Sequence, residues 1–147
     1  MISPAPTTRL APYLTRGVLA QNVAATATKP AHIVLEILNT SYQIHLLPGG
    51  PVTTPVGKRI VGVVRADARR VDIVKSGGRF LEPVAGRPRR VQGTVVGRDA
   101  SANTITVNAG VPIVLKLTDA RQRADQFEDG AFVSCDVCDG ATFTPQA

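Results

Sequence analysis

The chain has 147 residues, 44% of them hydrophobic, and a formal net charge of +6, which suits a single domain with a substantial core. No apolar run approaches the roughly 20 residues that a membrane-spanning helix needs. The first residues also lack the basic start and apolar block of a secretory signal. We therefore expect a soluble, cytoplasmic protein without a membrane segment.

The first part of the chain predicts an arm followed by strands. Residues 1–30 are rich in Ala, Thr and Pro, and we interpret them as an N-terminal arm with a possible short helix after Pro12. A single β domain is predicted over residues 31–147. Its first two strands fall at 31–38 and 42–47, where apolar residues alternate, with a turn at 39–41. A loop rich in proline and glycine follows at 48–57.

Two segments in the middle of the chain have similar sequences, KRIVGVVRADARRVDIV at 58–74 and RRVQGTVVGRDASANTITV at 89–107. Each predicts a strand, a short polar turn and a returning strand. Gly62 and Gly93 occupy equivalent places and predict a bulge or sharp bend in each first strand. Asp67 and Asp99 are also equivalent, and we interpret them as turn residues rather than a catalytic carboxylate pair.

The last predicted elements are two strands, in VPIVLKLTD at 111–119 and FEDGAFVSCDV at 127–137, with a polar or single helical turn between them. The order of bent hairpins, polar connection and late strand over residues 58–138 resembles the small oligonucleotide/oligosaccharide-binding (OB) barrel. The predicted fold class is all-β: a small curved antiparallel sheet or an OB-like barrel, with an N-terminal arm. A sandwich of similar strands is the alternative.

The residues that carry metal or covalent chemistry in other proteins are few. In a strand, Cys135 and Cys138 would lie roughly 10 Å apart on opposite faces, too far for a mutual disulfide. We therefore expect reduced thiols, as in the cytosol. A zinc site that adds His32 and His45 is arithmetically possible, but its spacing is unusual. Motifs for an activated nucleophile or a phosphate-binding loop are lacking, so we assign no catalytic residue, metal or cofactor.

Positive charge is concentrated in the middle of the chain. The net charge is +2 for residues 1–57, +8 for 58–98 and −4 for 99–147, and nine of the eleven basic residues of the middle segment are arginine. Arginine binds phosphate in a bidentate manner and stacks on bases. This segment therefore predicts non-catalytic, largely sequence-independent binding of RNA or single-stranded DNA. The predicted interface residues are Arg59, Arg65, Arg69, Arg70, Arg79, Phe80, Arg89 and Arg90.

Two other interpretations of the basic segment stay open. The arginines could form a solvated face, partly paired with the seven acidic residues of the C-terminal segment. The opposite charges of the two segments could also serve a structural or assembly protein that binds another protein or a second copy of itself. Phe80 is either a ring for base stacking or a core residue, and aromatic residues are only 4% of the chain, which argues against extensive stacking.

Overall fold

The computed structural model describes residues 11–146, in which the chain forms twelve strands and one turn of 3-10 helix. The strands are β1 (Thr15–Val23), β2 (His32–Glu36), β3 (Gln43–Pro48), β4 (Arg59–Ala68), β5 (Asp72–Ile73), β6 (Phe80–Glu82), β7 (Ala85–Gly86), β8 (Arg90–Asp99), β9 (Thr104–Asn108), β10 (Pro112–Leu117), β11 (Phe132–Asp136) and β12 (Thr142–Pro145). The helical turn, Ala124–Gln126, lies between β10 and β11 as predicted. Within the described residues, no helix is long and apolar enough to cross a membrane.

Five of these strands close into a barrel, which we call the first barrel. Its order is β1–β2–β3–β12–β4, and β4 returns to pair with β1. β12 is parallel to β3 and antiparallel to β4. The prediction of an all-β, OB-like barrel is therefore confirmed, and the sandwich alternative is wrong. The sequence positions of the barrel strands differ from the prediction, however, because only β4 lies within residues 58–138, the segment that resembles an OB barrel.

The N-terminal part of the chain belongs to this barrel. Residues 15–23, where a short helix was considered possible, form β1, and that possibility is wrong. β1 pairs with β2 along one edge and with β4 along the other, so tertiary pairing overrides a weak helical pattern. Thr15, Gly17 and Leu19 face inward. Residues 1–10 of the predicted arm lie outside the described residues.

A second ring of strands shares β4 with the first barrel. The later half of β4 pairs in parallel with β10, and the order continues through β9 and β8 to β11. The ends of β11 and β4 then meet through a bridge between Ala68 and Val137, and the Arg69 N–H donates to the Asp136 carbonyl at 2.9 Å. Residues 69–141, which lie between β4 and β12 in the sequence, thus supply the rest of the second ring.

The two similar sequence segments fold differently. β8 and β9 form the predicted hairpin, whose turn is capped by the Asp99 carboxylate, which accepts the N–H groups of Ser101 and Ala102. In the first segment the returning strand β5 pairs with β11 and not with β4, so the hairpin predicted there is wrong. β1 and β10 occupy one edge of β4, while β12 and the end of β11 occupy the other, and no edge is left for a returning strand.

The structural counterpart of β8–β9–β10 is β1–β2–β3, since both are antiparallel meanders. In each, the first strand carries a glycine three residues before a bulge. A Cβ at Gly17 would lie 2.6 Å from the Glu36 carbonyl oxygen, and one at Gly93 would overlap the Asn108 carbonyl oxygen. Gly17 and Gly93 therefore permit a close approach of the neighbouring strand, and each bulge lies after the glycine and not at it. At Gly62, by contrast, β4 keeps a regular register.

One hydrophobic core runs through both rings. The Phe143 ring of β12 is fully buried, and a Cβ at Gly62 would lie 2.6 Å from its Cζ. On β11, Val133 and Cys135 face this core, as does Val137 just after the strand. The outward faces of the strands around it are therefore available to carry polar and charged side chains.

Candidate nucleic-acid interface

A cavity of about 360 Å³ lies over the outer face of β2 and β3 in the first barrel. We call it the histidine cavity, because His32 at the start of β2 and His45 in β3 form its floor. Both side chains point outward since their neighbours Ile33, Ile44 and Leu46 face the core. The two rings stack, with their centroids 5.4 Å apart and 14° between their planes.

Two connections form the walls of the histidine cavity. One is the β1–β2 connection at residues 28–30, and the other combines Arg87 with residues 139–141, just before β12. Arg87 is held beside β3 because β7 pairs with that strand in parallel, Gly86 lying opposite Ile44. A 2.8 Å ion pair joins Arg87 to Asp139. In OB-like barrels the face of the second and third strands, between these two connections, is where oligonucleotides and oligosaccharides bind.

The histidine cavity carries an excess of positive charge. Lys29 and Arg87 are permanent cations, and Asp139 is the one carboxylate among the lining residues. Burial lowers the pKa of His45, and the charges of His32, Lys29 and Arg87 lower that pKa further. At neutral pH the His45 ring is therefore uncharged, with one N–H donor and one acceptor nitrogen.

A second cavity, of about 500 Å³, begins at Arg87 and extends to the start of β8. Arg89 and Arg90 line it, with Glu82 and Asp136 as its carboxylates. The Arg90 guanidinium is half-buried and donates to Asp136 and to Ser134, each at 2.8 Å. We call the two adjoining cavities together the basic cleft, because its cations follow one another along one surface: Lys29, Arg87, Arg89 and Arg90.

The structure does not bring all eight predicted interface residues together. Arg89 and Arg90 line the basic cleft. Arg59 and Arg65 lie on the outer face of β4, beside Arg16 of β1 and Lys116 of β10. The remaining four lie after β4 or at the start of β6: Arg69, Arg70, Arg79 and Phe80.

Phe80 belongs to an outward-facing row of side chains. It lies opposite Gln92 on β8, which in turn lies opposite Ser134 on β11. The next row on the same face contains Glu82, Arg90 and Asp136, so Phe80 borders the second cavity of the cleft. Its ring is half-buried and is not part of the hydrophobic core formed by the described residues.

Four arginines of the basic segment form ion pairs with carboxylates among the described residues. The pairs are Arg70–Asp72 at 3.0 Å, Arg87–Asp139 at 2.8 Å, Arg90–Asp136 at 2.8 Å and Arg98–Asp129 at 3.6 Å. Three of the four carboxylates come from the acidic C-terminal segment, so the two segments do pair within one chain at these positions. These pairs are largely exposed and contribute little to stability. Five predicted interface arginines have no such partner among residues 11–146: Arg59, Arg65, Arg69, Arg79 and Arg89.

Sequence reasoning missed Lys29 as a binding residue and considered the two histidines only as metal ligands. A signal for the histidines was present, because the alternation of two adjacent predicted strands puts His32 and His45 on the face opposite the apolar residues. Arg87 offered no such signal, since it reaches the cleft through the pairing of β7 with β3, which are far apart in the sequence.

Residues 11–146 contain no group of three or more His, Cys, Asp or Glu side chains placed to hold a metal ion. The thiols of Cys135 and Cys138 are both free. Burial, assisted by the nearby Asp136 charge, raises the pKa of Cys135 to about 12. This thiol is therefore protonated and unreactive at neutral pH.

Comparisons of the chain with models of protein families, with curated proteins and with solved structures found no match. Function is therefore inferred from the fold and from the basic cleft.

Proposed function

We propose that this chain is a cytoplasmic, non-catalytic protein that binds single-stranded nucleic acid, RNA or DNA, in the basic cleft with little sequence preference. The observation that carries the proposal is the position of the cleft. Its histidine cavity lies on the β2–β3 face of a closed five-stranded barrel, which is the face that binds oligonucleotides in OB-like barrels, and four cations line the cleft as a whole. The two free cysteines accord with a reducing compartment.

The cations of the cleft can contact phosphates. Lys29 and Arg89 have no carboxylate partner within the described residues. Arg87 uses one N–H group on Asp139, and Arg90 uses two on Asp136 and Ser134. Since a guanidinium has five N–H donors, both arginines keep donors for a phosphate while their ion pairs hold them in place.

The rings of the cleft favour unpaired bases. His32 and His45 form a stacked pair in the floor, and Phe80 lies half-buried at the border. Histidine and phenylalanine rings both serve as stacking partners for splayed-out bases, and each such contact contributes about 1–3 kcal/mol. Bases in a duplex are already stacked and paired, so we expect the cleft to prefer single strands.

The assembly alternative receives less support from the same observations. Arg87, Arg90 and Arg98 are already paired with carboxylates of the acidic segment of their own chain. Fewer opposite charges are therefore left for a second copy. Concentration-dependent sedimentation at low salt, without nucleic acid and lost at high salt, would instead favour that alternative.

The test is fluorescence-polarisation titration of labelled single-stranded RNA, single-stranded DNA and duplex DNA at 50 and 200 mM salt, on nuclease-treated protein. Three phosphate contacts on a single strand predict about a 20-fold loss of affinity across this range. No binding at 50 mM salt, or an affinity that does not change with salt, would refute the proposal.

A matched pair of double variants locates the interface. Lys29→Gln with Arg89→Gln removes two unpaired cations from the cleft, and Arg59→Gln with Arg65→Gln removes two from the outer face of β4. Both change the net charge by the same amount. We expect the cleft variant to lose about tenfold in affinity at 50 mM salt, from two lost charge-assisted contacts, and the β4 variant less than twofold. Equal losses would place the binding outside the cleft.

A further inference from the structure

The geometry points to the histidine cavity as a site for a phosphomonoester, the group present at a phosphorylated end of a nucleic-acid strand. The inference rests on the proposed function for the identity of the natural ligand. It goes further because it separates a strand end, held in the histidine cavity, from the rest of the strand, which follows the second cavity of the cleft.

The arrangement of nitrogen-bearing side chains carries this inference. Lys29 from the β1–β2 connection, His32 from β2, His45 from β3 and Arg87 from the segment after β7 surround a single cavity of about 360 Å³. A cavity of this size holds a single terminal nucleotide, with its base and phosphate, and not a length of strand. Four potential donors around so small a volume match a compact group that has several acceptor oxygens.

The charge of the ligand follows from the charge of the cavity. Asp139 is the one lining carboxylate, and Arg87 already engages it at 2.8 Å, which leaves Lys29 without a counter-charge there. A phosphodiester within a strand carries one negative charge, whereas a phosphomonoester carries about −1.5 to −2 at pH 7. One negative charge of the ligand is balanced by Lys29, and the second favours uptake of a proton by a neighbouring imidazole, which the single charge of an internal phosphate favours less.

The position of the cavity within the cleft agrees with an end-binding role. Thr28, Pro30 and residues 139–141 form walls around the histidines, and the adjoining cavity begins at Arg87. A strand whose terminal phosphate sits over the histidines can leave past Arg87 toward Arg89.

The charged state of His45 provides a direct readout. The groups that face it are His32 from the neighbouring strand, Lys29 from the β1–β2 connection, Arg87 from the segment after β7, and Asp139 from the segment before β12. Burial, His32, Lys29 and Arg87 disfavour protonation of His45, and a bound dianion favours it. Ligand binding should therefore raise the pKa of His45.

The first experiment compares three labelled strands of one sequence, bearing a 5′-phosphate, a 3′-phosphate or no terminal phosphate. We expect one phosphorylated end to bind about tenfold more tightly than the unphosphorylated strand, because its extra charge forms charge-assisted hydrogen bonds. Lys29→Gln should abolish this advantage. Lys75→Gln, which removes an equally exposed lysine outside the cavity, should preserve it.

The second experiment uses adenosine monophosphate and adenosine as free probes and follows the histidine signals in NMR pH titrations. The monophosphate should raise the pKa of His45, and adenosine should not. If the strands bind with equal affinity and the monophosphate leaves the histidines unchanged, the inference is overturned while the proposed function stands. If no strand binds but the monophosphate raises the pKa of His45, the phosphomonoester site is upheld, the proposed function fails, and a free mononucleotide becomes the ligand.

Discussion

Gly93 and Gly97 lie four residues apart in β8, yet alanine should destabilise the protein at Gly93 and should not destabilise it at Gly97. A Cβ at Gly93 would overlap the carbonyl oxygen of Asn108 and would lie 2.7 Å from its carbonyl carbon and 3.0 Å from the Cα of Ala109. All three are backbone atoms, so no side-chain rotation can relieve the contact. A Cβ at Gly97 would have no atom within 4 Å.

The expected magnitudes follow from these contacts. β9 pairs with β8 on one edge and with β10 on the other, so moving its backbone away from a new methyl group disturbs two ladders. Overpacking costs about 1–3 kcal/mol, and we expect the Gly93→Ala variant to lose about 3 kcal/mol. Gly97→Ala should be neutral or gain about 0.4–1 kcal/mol, because alanine restricts the unfolded chain.

Urea denaturation followed by far-ultraviolet circular dichroism measures both changes, provided that the variants unfold with the same dependence on urea. Gly17→Ala adds a test in the first barrel, where the new Cβ would lie 2.6 Å from the Glu36 carbonyl oxygen, and should also destabilise. A Gly93→Ala variant within about 0.5 kcal/mol of the unmodified protein would refute the close approach of β8 and β9.

Further predictions concern the thiols, the histidine cavity and the core. In the folded protein Cys138 should react with a thiol reagent at pH 8 while Cys135, with its raised pKa of about 12, should react only after denaturation; equal rates would contradict its burial. The pKa of His45 should lie below 6.5 in NMR titration. Lys29→Gln should raise this pKa because one repelling charge is removed, and an unchanged pKa would mean that the Lys29 ammonium does not lie near His45. Phe143→Ala should destabilise by about 3–5 kcal/mol in urea denaturation, and a loss below about 1 kcal/mol would show that β12 does not close the first barrel.

Local patterns in the sequence predicted the elements whose structure is determined locally. β2 and β3 show alternating apolar residues and a short turn, in which Asn39 adopts a positive φ of 63°. β8 and β9 are joined by a turn that Asp99 caps, with Asn103 at φ 55°. β10, the helical turn and β11 also lie where they were predicted.

Strand partners were harder to predict because they depend on segments distant in the sequence. A returning strand next to β4 was the natural expectation for residues 71–74, yet β4 already has partners from residues 15–18 and 114–117 on one edge. The other edge is taken by residues 142–145 and 137. The sequences of β1 and β12 show only weak alternation of apolar residues, and these segments become strands because they pair with the neighbouring strands of the first barrel.

The net charge of a sequence segment also failed to show which cations are available to a ligand, because charge pairing depends on residues distant in the sequence. The net charges of +8 and −4 describe two stretches of sequence, but the register of β8 and β11 puts Arg90 directly opposite Asp136. Pairing of this kind removes arginines from the set that a ligand can use, and it does so through contacts between residues about 50 positions apart. The cations that count for binding are those of one cleft, and Lys29 among them lies outside the basic segment.

The second ring has a physical consequence for the cleft on the first barrel. The first barrel alone contributes Lys29, His32 and His45 from β2, β3 and the connection between β1 and β2. Arg87 and Asp139 both come from residues 69–141, which form the second ring between β4 and β12, and their ion pair closes the opposite wall. The two rings share β4 and a hydrophobic core, and the pairing of β7 with β3 anchors this wall to the first barrel as well. A wall anchored at both ends of its segment reduces the cost of ordering a loop when a ligand binds, which is one of the costs of association.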